Sequence, residues 1–160
     1  MSNMIVFVTT FNKKIYNCSG CKLIQSYEQF VSQRDNIEFH VYLEKMEDIS
    51  NVRKDIKLFH IDDSFYMKNW ETSNADIIPC EYGGNCKKKL DYFNKRASLF
   101  FRKVVALKET YDKMSTLADT IIWLDADVKI ISPITTSFFC DFNEEGIDLK
   151  EPKLKIMGIE

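Results

Sequence analysis

The first apolar block, "MIVFVTTFN" at residues 4–12, is rich in β-branched and aromatic side chains and turns polar at its end. That pattern predicts a buried strand running into a loop. In "SGCKLIQSYEQFVSQ" (19–33), Leu23, Tyr27, Phe30 and Val31 recur at helical spacing, with Ser19 as the expected N-cap. "NIEFHVYLE" (36–44) alternates Ile37, Phe39, Val41 and Leu43 and reads as a second strand, and "DIKLFHID" (55–62) as a short third. Residues 63–86 are mixed, with one or two helical turns expected at "FYMKNWE" and a turn at "CEYGGNC". The strongest helix signal covers 87–114. There Leu90, Phe93, Ala97, Phe100, Val104, Leu107, Tyr111 and Met114 alternate steps of three and four and predict one continuous apolar stripe. "TIIWLDADVKIIS" (120–132) predicts a buried strand interrupted by two aspartates. A short helix is expected around Pro133 and a last strand at "LKIMGIE".

Strand, helix, strand, helix, strand implies an α/β domain, a mainly parallel sheet flanked by helices. Ligands of such sheets bind outside the carboxyl ends of the strands. Two predicted strands deliver polar residues there, "TTFN" and "DAD". No linker, repeat or low-complexity tract divides the 160 residues, so one domain spanning 1–160 is expected.

Composition adds exclusions. Hydrophobic residues make up 45% and charged residues 29%, which suits a packed globular core rather than a disordered chain. A net charge of −2 lacks the basic excess of a protein that coats nucleic acid. No stretch approaches the ~18 apolar residues of a transmembrane helix, and the start has too short an apolar run for a signal peptide. The odd count of five cysteines points to free thiols in a reducing compartment, so a cytoplasmic location is expected.

The aspartates carry the chemistry. Asp125 and Asp127 follow four apolar residues, "IIWL", and are separated only by small Ala126. On a regular strand their side chains would point to opposite faces. A bend at Ala126 would let both meet one hard divalent cation, Mn²⁺ or Mg²⁺, which takes one or two carboxylates plus phosphate oxygens and water. The plainer alternative is one aspartate capping the next turn and the other solvated at the strand end.

"WLDADV" preceded by "FFRKVVALKET" resembles the GT-A-type nucleotide-sugar glycosyltransferases, especially small bacterial and large-virus members. "IVFVTTFN" resembles the opening strand of that fold, and "SPI" matches the proline segment that follows the aspartates. The resemblance runs from residue 4 to about 142. It implies a Rossmann-like GT-A sheet and transfer of a sugar from a nucleotide-diphosphate donor to a glycan or other hydroxyl acceptor. Carried over, Asp127 would ligate the metal that bridges the diphosphate. Asp125 would contact the ribose, the metal or both, and Ala126 would lie along the nucleotide. Lys103 would face the aspartates or the diphosphate. Thr9, Thr10, Phe11 and Asn12 would line the base and ribose, and Glu44 would make an acidic contact to one of them. The family continues past the length seen here, so the chain is expected to be the N-terminal donor half. Asp141, Glu144, Glu145 and Asp148 are the acidic residues left for a later role, with none assigned as catalytic.

Two rival functions share these residues. One is a non-catalytic nucleotide-sugar-binding remnant. The other is a haloacid-dehalogenase-type phosphatase, which also ends a strand in D-x-D but places it near the N-terminus, whereas 124 residues precede Asp125. Elsewhere, "CSGC" (18–21) with Cys80 and Cys86 could supply four zinc ligands, but the second spacing is unlike a zinc knuckle. His40 and His60 fall in predicted strands and read as sheet residues. The basic start "KKKLDYFNKR" (87–96) reads as a solvated face, Trp123 as core, and Lys103, off the stripe beside Val104, as a helix-surface lysine unless the motif claims it.

Overall fold

The computed structural model describes residues 4–73 and 85–136, with the side chains of 85–99 excepted. Four strands, β1 (Ile5–Asn12), β2 (Ile37–Glu44), β3 (Ile56–His60) and β4 (Thr120–Trp123), form one all-parallel sheet in the order β3-β2-β1-β4. β1 is central, and all but the last of its eight residues are buried. A helical stretch follows it directly: α1 (Lys13–Ile15), a π-helical turn (Tyr16–Gly20) and α2 (Cys21–Phe30). α3 (Phe65–Ser73) and the long α4 (Asn85–Met114) lie between β3 and β4. The expected α/β class with helices flanking a parallel sheet is what forms. The helix and strand expected beyond Pro133 lie almost wholly outside the described residues, as do the "CEYGGNC" turn up to residue 84 and the late acidic residues.

Alternation along the strands sorts side chains onto two cores. Ile5, Phe7 and Phe11 of β1 join Phe39, Val41 and Leu43 of β2 and Leu23, Ile24 and Tyr27 of α2. Val6 and Val8 face the other way, with Tyr42, Ile61, Met67 and Val105, Ala106 and Met114 of α4. Phe7, Tyr27 and Phe39 make mutual ring contacts at 4.9–6.4 Å between centroids. Such contacts add roughly 0.5–1.5 kcal/mol per pair beyond burial.

Three expectations need correction. The first helix starts at Lys13, not Ser19. Asn12 is its N-cap, with Oδ1 accepting from the Ile15 N–H at 3.0 Å, while Ser19 Oγ donates back to the Ile15 carbonyl within the turn. The strand expected over 120–132 ends at Trp123, because the chain turns at the aspartates. The buried face of α4 is the expected stripe only in part: Met114 is buried and Leu107 packs against the core. Phe100, Val104 and Tyr111 are exposed, by 62%, 56% and 41%. Val105, Ala106, Thr110 and Met114 are buried, and Phe101 stacks on Trp70 at 4.7 Å. "FFRKVVAL" is apolar at adjacent positions, so two overlapping stripes fit a helical period. Small Ala106 lets the second stripe approach the sheet, and the Thr110 hydroxyl finds the buried Tyr42 hydroxyl at 3.1 Å.

Gly20 is held by a close approach. A Cβ built there would lie 3.0 Å from the buried Phe11 ring. His40, 2% exposed on β2, packs against Phe59 and bonds Glu38 through Nε2 at 3.1 Å. Burial pushes its pKa below 6.5 against the opposing pull of Glu38. The folded state therefore binds fewer protons than the unfolded chain once pH drops below 6.5, and stability falls with pH in that window. The expected slope is up to about 1.4 kcal/mol per pH unit. Thermal unfolding between pH 7.5 and 5.5 should show it, and His40→Gln should flatten it. An equal slope in that variant would assign the effect elsewhere.

Candidate functional site

The chain leaves β1 toward β2 on one side and reaches β1 again through β4 on the other. The crevice between the carboxyl ends of β1 and β4 is thus the point where strand order reverses, where open α/β sheets bind ligands. β4 pairs with β1 through Trp123, opposite Val8. The Leu124 N–H still donates to the Val8 carbonyl at 2.8 Å. The sheet then ends, and Asp125 to Val128 form a turn closed by Val128 N–H to Asp125 C=O at 3.0 Å. Small Ala126 packs inward against the α2-side core, while Asp125 and Asp127 are exposed. The outgoing chain is tied down along α2. Ser26 Oγ accepts from the Ile130 N–H at 3.1 Å, and the Phe30 carbonyl accepts from the Ile134 N–H at 3.0 Å. The aspartates therefore sit in a short turn anchored on both sides.

Two ion pairs descend from adjacent residues of α4. Lys103 Nζ donates to Asp125 Oδ1, which also accepts from the Trp123 indole N–H at 2.9 Å. Burial raises the Asp125 pKa, but these two donors outweigh it and hold the carboxyl below its usual range. Lys103 Nζ also lies 5.3 Å from the Trp123 ring centroid and 5.9 Å from that of Phe100. Toward β2, Arg102 Nη1 donates to Glu44 Oε2 at 2.8 Å. The Thr10 hydroxyl lies 2.9 Å from both Glu44 Oε1 and the Tyr42 carbonyl. Glu44 and Arg102 side chains are 4% and 14% exposed. α4 thus straddles the end of β1 and hands one cation to each side.

The expected residues divide. Lys103 and Asp125 meet at the switch point, and Asp127 is exposed two residues further along the same turn, with Ala126 packed inward. Thr9 and Phe11 are wholly buried, Thr10 is 8% exposed, and Glu44 is occupied by Thr10 and Arg102. Asn12 Oδ1 caps α1. The side chains of Thr9, Thr10, Phe11 and Glu44 are therefore built into the fold beside the site. Trp123, which the sequence reads as core, bonds Asp125, and Arg102, which it does not single out, holds Glu44 beside the turn. The only signal for Arg102 was its place beside Lys103.

Cys18 and Cys21 are free thiols. Among the described residues no group of three or more His, Cys, Asp or Glu side chains converges to hold a metal, and Cys80 and Cys86 lie where no side chain is described. His40 and His60 each bond a carboxylate, of Glu38 and Asp48. No described helix is long and apolar enough to cross a membrane.

Fold and site together define an α/β protein with a Rossmann-like parallel sheet and an anchored Asp-Ala-Asp turn at its switch point. No family model matches the chain, and no curated protein or solved structure is significantly similar to it.

Proposed function

We propose that this chain binds a nucleotide-diphosphate sugar through a divalent cation at Asp125 and Asp127 and transfers the sugar to a hydroxyl acceptor, in the manner of a GT-A glycosyltransferase. The observation that supports this reading is the anchored Asp125–Asp127 turn at the β1/β4 switch point with Lys103 on it. The donor set suits Mn²⁺ or Mg²⁺. Asp125 and Asp127 are exposed hard oxygen ligands in one turn, and a cation held by them would complete its shell with phosphate oxygens and water. When bound, such a cation stabilises the negative charge that grows on the departing diphosphate.

The chain's own residues supply the rest. The Trp123 N–H and Lys103 orient the Asp125 carboxylate. Lys103 brings a positive charge to where the diphosphate would lie. Arg102 is committed to Glu44 and does not offer the diphosphate a second cation. Buried Thr9 and Phe11 give the base and ribose a rigid floor, and only Asn12 of this segment is part-exposed.

A thermal-shift titration with UDP, GDP, dTDP and CMP sugars, with and without Mn²⁺, tests donor binding. One nucleotide is expected to raise the midpoint in a Mn²⁺-dependent way. At about 100 times Kd the gain is about 2.7 kcal/mol, or about 5–11 °C for a domain of this size. Asp127→Ala should lose the shift while keeping the ligand-free midpoint within about 2 °C, since this exposed aspartate has no partner among the described residues. A folded protein that shifts with none of the donors refutes the proposal. A donor shift without sugar transfer to any hydroxyl acceptor would leave a nucleotide-sugar-binding module.

A further inference from the structure

Asp125 is one of only two carboxylates at the turn, and its Oδ1 already holds a cation, the Lys103 ammonium. The pair is more than a chance surface contact. The same oxygen takes the Trp123 N–H at 2.9 Å, and the Lys103 ammonium lies near two aromatic rings. Arg102, the next residue on α4, is pinned to buried Glu44 at 2.8 Å, so the helix cannot slide to free Lys103 without disturbing that pair. Asp127, by contrast, has no partner among the described residues. A divalent cation approaching both aspartates meets a positive charge already seated on one of them. Two cations competing for one carboxylate repel each other even at the effective dielectric of about 20 typical of a protein surface.

We infer that Lys103 is an internal counter-ion that competes with the divalent cation for Asp125, so that the cation binds weakly by itself and firmly only when a diphosphate arrives to receive the displaced ammonium. This rests on the proposed function and adds to it an order of events and a residue that sets it. A diphosphate offers Lys103 a new anion within reach of the old one and offers the cation the oxygens that two carboxylates lack. Each ligand then favours the other, and the coupling is reciprocal. The practical consequence is a site that discriminates against free metal ions and against nucleosides without a diphosphate.

The test is Mn²⁺ binding to the full chain without nucleotide, by isothermal calorimetry and by paramagnetic quenching of Trp123 emission in a Trp70→Phe background. Lys103→Met keeps the aliphatic stem against the rings and removes the charge. It is expected to tighten Mn²⁺ binding about tenfold, or 1.4 kcal/mol. Asp125→Asn should abolish the gain in the Lys103→Met background. Inorganic pyrophosphate, titrated against Mn²⁺-loaded protein, should bind wild type more tightly than Lys103→Met. Equal or weaker Mn²⁺ affinity in Lys103→Met overturns the inference, as does the absence of Mn²⁺ binding from both proteins. Failure here is separable from failure of the donor reading. A Mn²⁺-dependent thermal shift with a nucleotide sugar can persist while Lys103→Met leaves metal affinity unchanged, and tighter Mn²⁺ binding in Lys103→Met can hold for a protein that binds no sugar donor.

Discussion

Arg102→Ala is expected to destabilise the protein by about 3–5 kcal/mol, more than any single change at the exposed aspartates. Arg102 is the only charge partner of Glu44 among the described residues, and the Glu44 side chain is 4% exposed on the last residue of β2. Removing the guanidinium leaves a carboxylate in a nearly water-free place with one hydroxyl, that of Thr10, to satisfy it. The cost is mainly that stranded charge rather than the value of the pair itself. Replacing both residues, as Glu44→Met with Arg102→Met, should therefore recover most of the loss, because no charge is left behind. Urea unfolding of the two single variants and the double variant measures this. A loss below about 1 kcal/mol in Arg102→Ala would mean the pair behaves like an exposed one and that α4 is held by its apolar face alone.

The second large effect is expected at Arg53, which lies in the connection between β2 and β3 and bonds the end of α2, the helix that ties down the aspartate turn. Its guanidinium donates to both oxygens of Asp55 and to the carbonyls of Glu28 and Val31 at the end of α2, and it lies 5.0 Å from the centroid of the Tyr27 ring. The Tyr27 hydroxyl donates to Asp55 at 2.9 Å. A cation at a helix C-terminus also meets the negative end of the helix dipole. Arg53→Met keeps the packing and strands these acceptors, at a cost of about 2–3 kcal/mol. The variant should also change the acid limb of stability. Burial raises the Asp55 pKa, but the bonds from Arg53 and Tyr27 outweigh it and hold the carboxyl below 3.8. A depressed folded-state value stabilises the protein above the unfolded value, and that contribution is lost as pH falls through the folded one. Without Arg53 the folded-state pKa of Asp55 moves up toward the unfolded value, so the acid-induced loss should be smaller and end at higher pH. Chemical unfolding at pH 7 and pH 3 checks both parts. A wild-type-like difference between the two pH values would show that Asp55 owes its low pKa to other groups.

α2 reaches the aspartate turn through Ser26 and Phe30, which bond Ile130 and Ile134. The Arg53 network and the Arg102–Glu44 pair thus hold the two sides of the same turn, one from each face of the sheet. Support of this kind matters because a ligand-binding turn gains affinity when its geometry is set before the ligand arrives.

Much of this was written locally. β1, β2 and β3 were legible from their apolar, β-branched and aromatic runs, and β1 opens with four consecutive apolar residues because it is buried on both faces. The Asp-Ala-Asp turn was legible because two carboxylates one residue apart cannot remain in a buried strand. The class of fold followed from the order of elements alone. What sequence periodicity could not settle was rotation. α4 carries two overlapping apolar stripes, and only contact with the sheet selects the one that buries Val105, Ala106 and Thr110 while aiming Arg102 at Glu44 and Lys103 at Asp125. Strand order was equally hidden. That β4 lies against β1, which makes a switch point beneath the aspartates, depends on pairings between residues more than a hundred positions apart. The fate of Thr10 and Glu44, polar by type yet closed into the fold, was decided there too, since a side chain's partners are fixed by which strands and helices become neighbours.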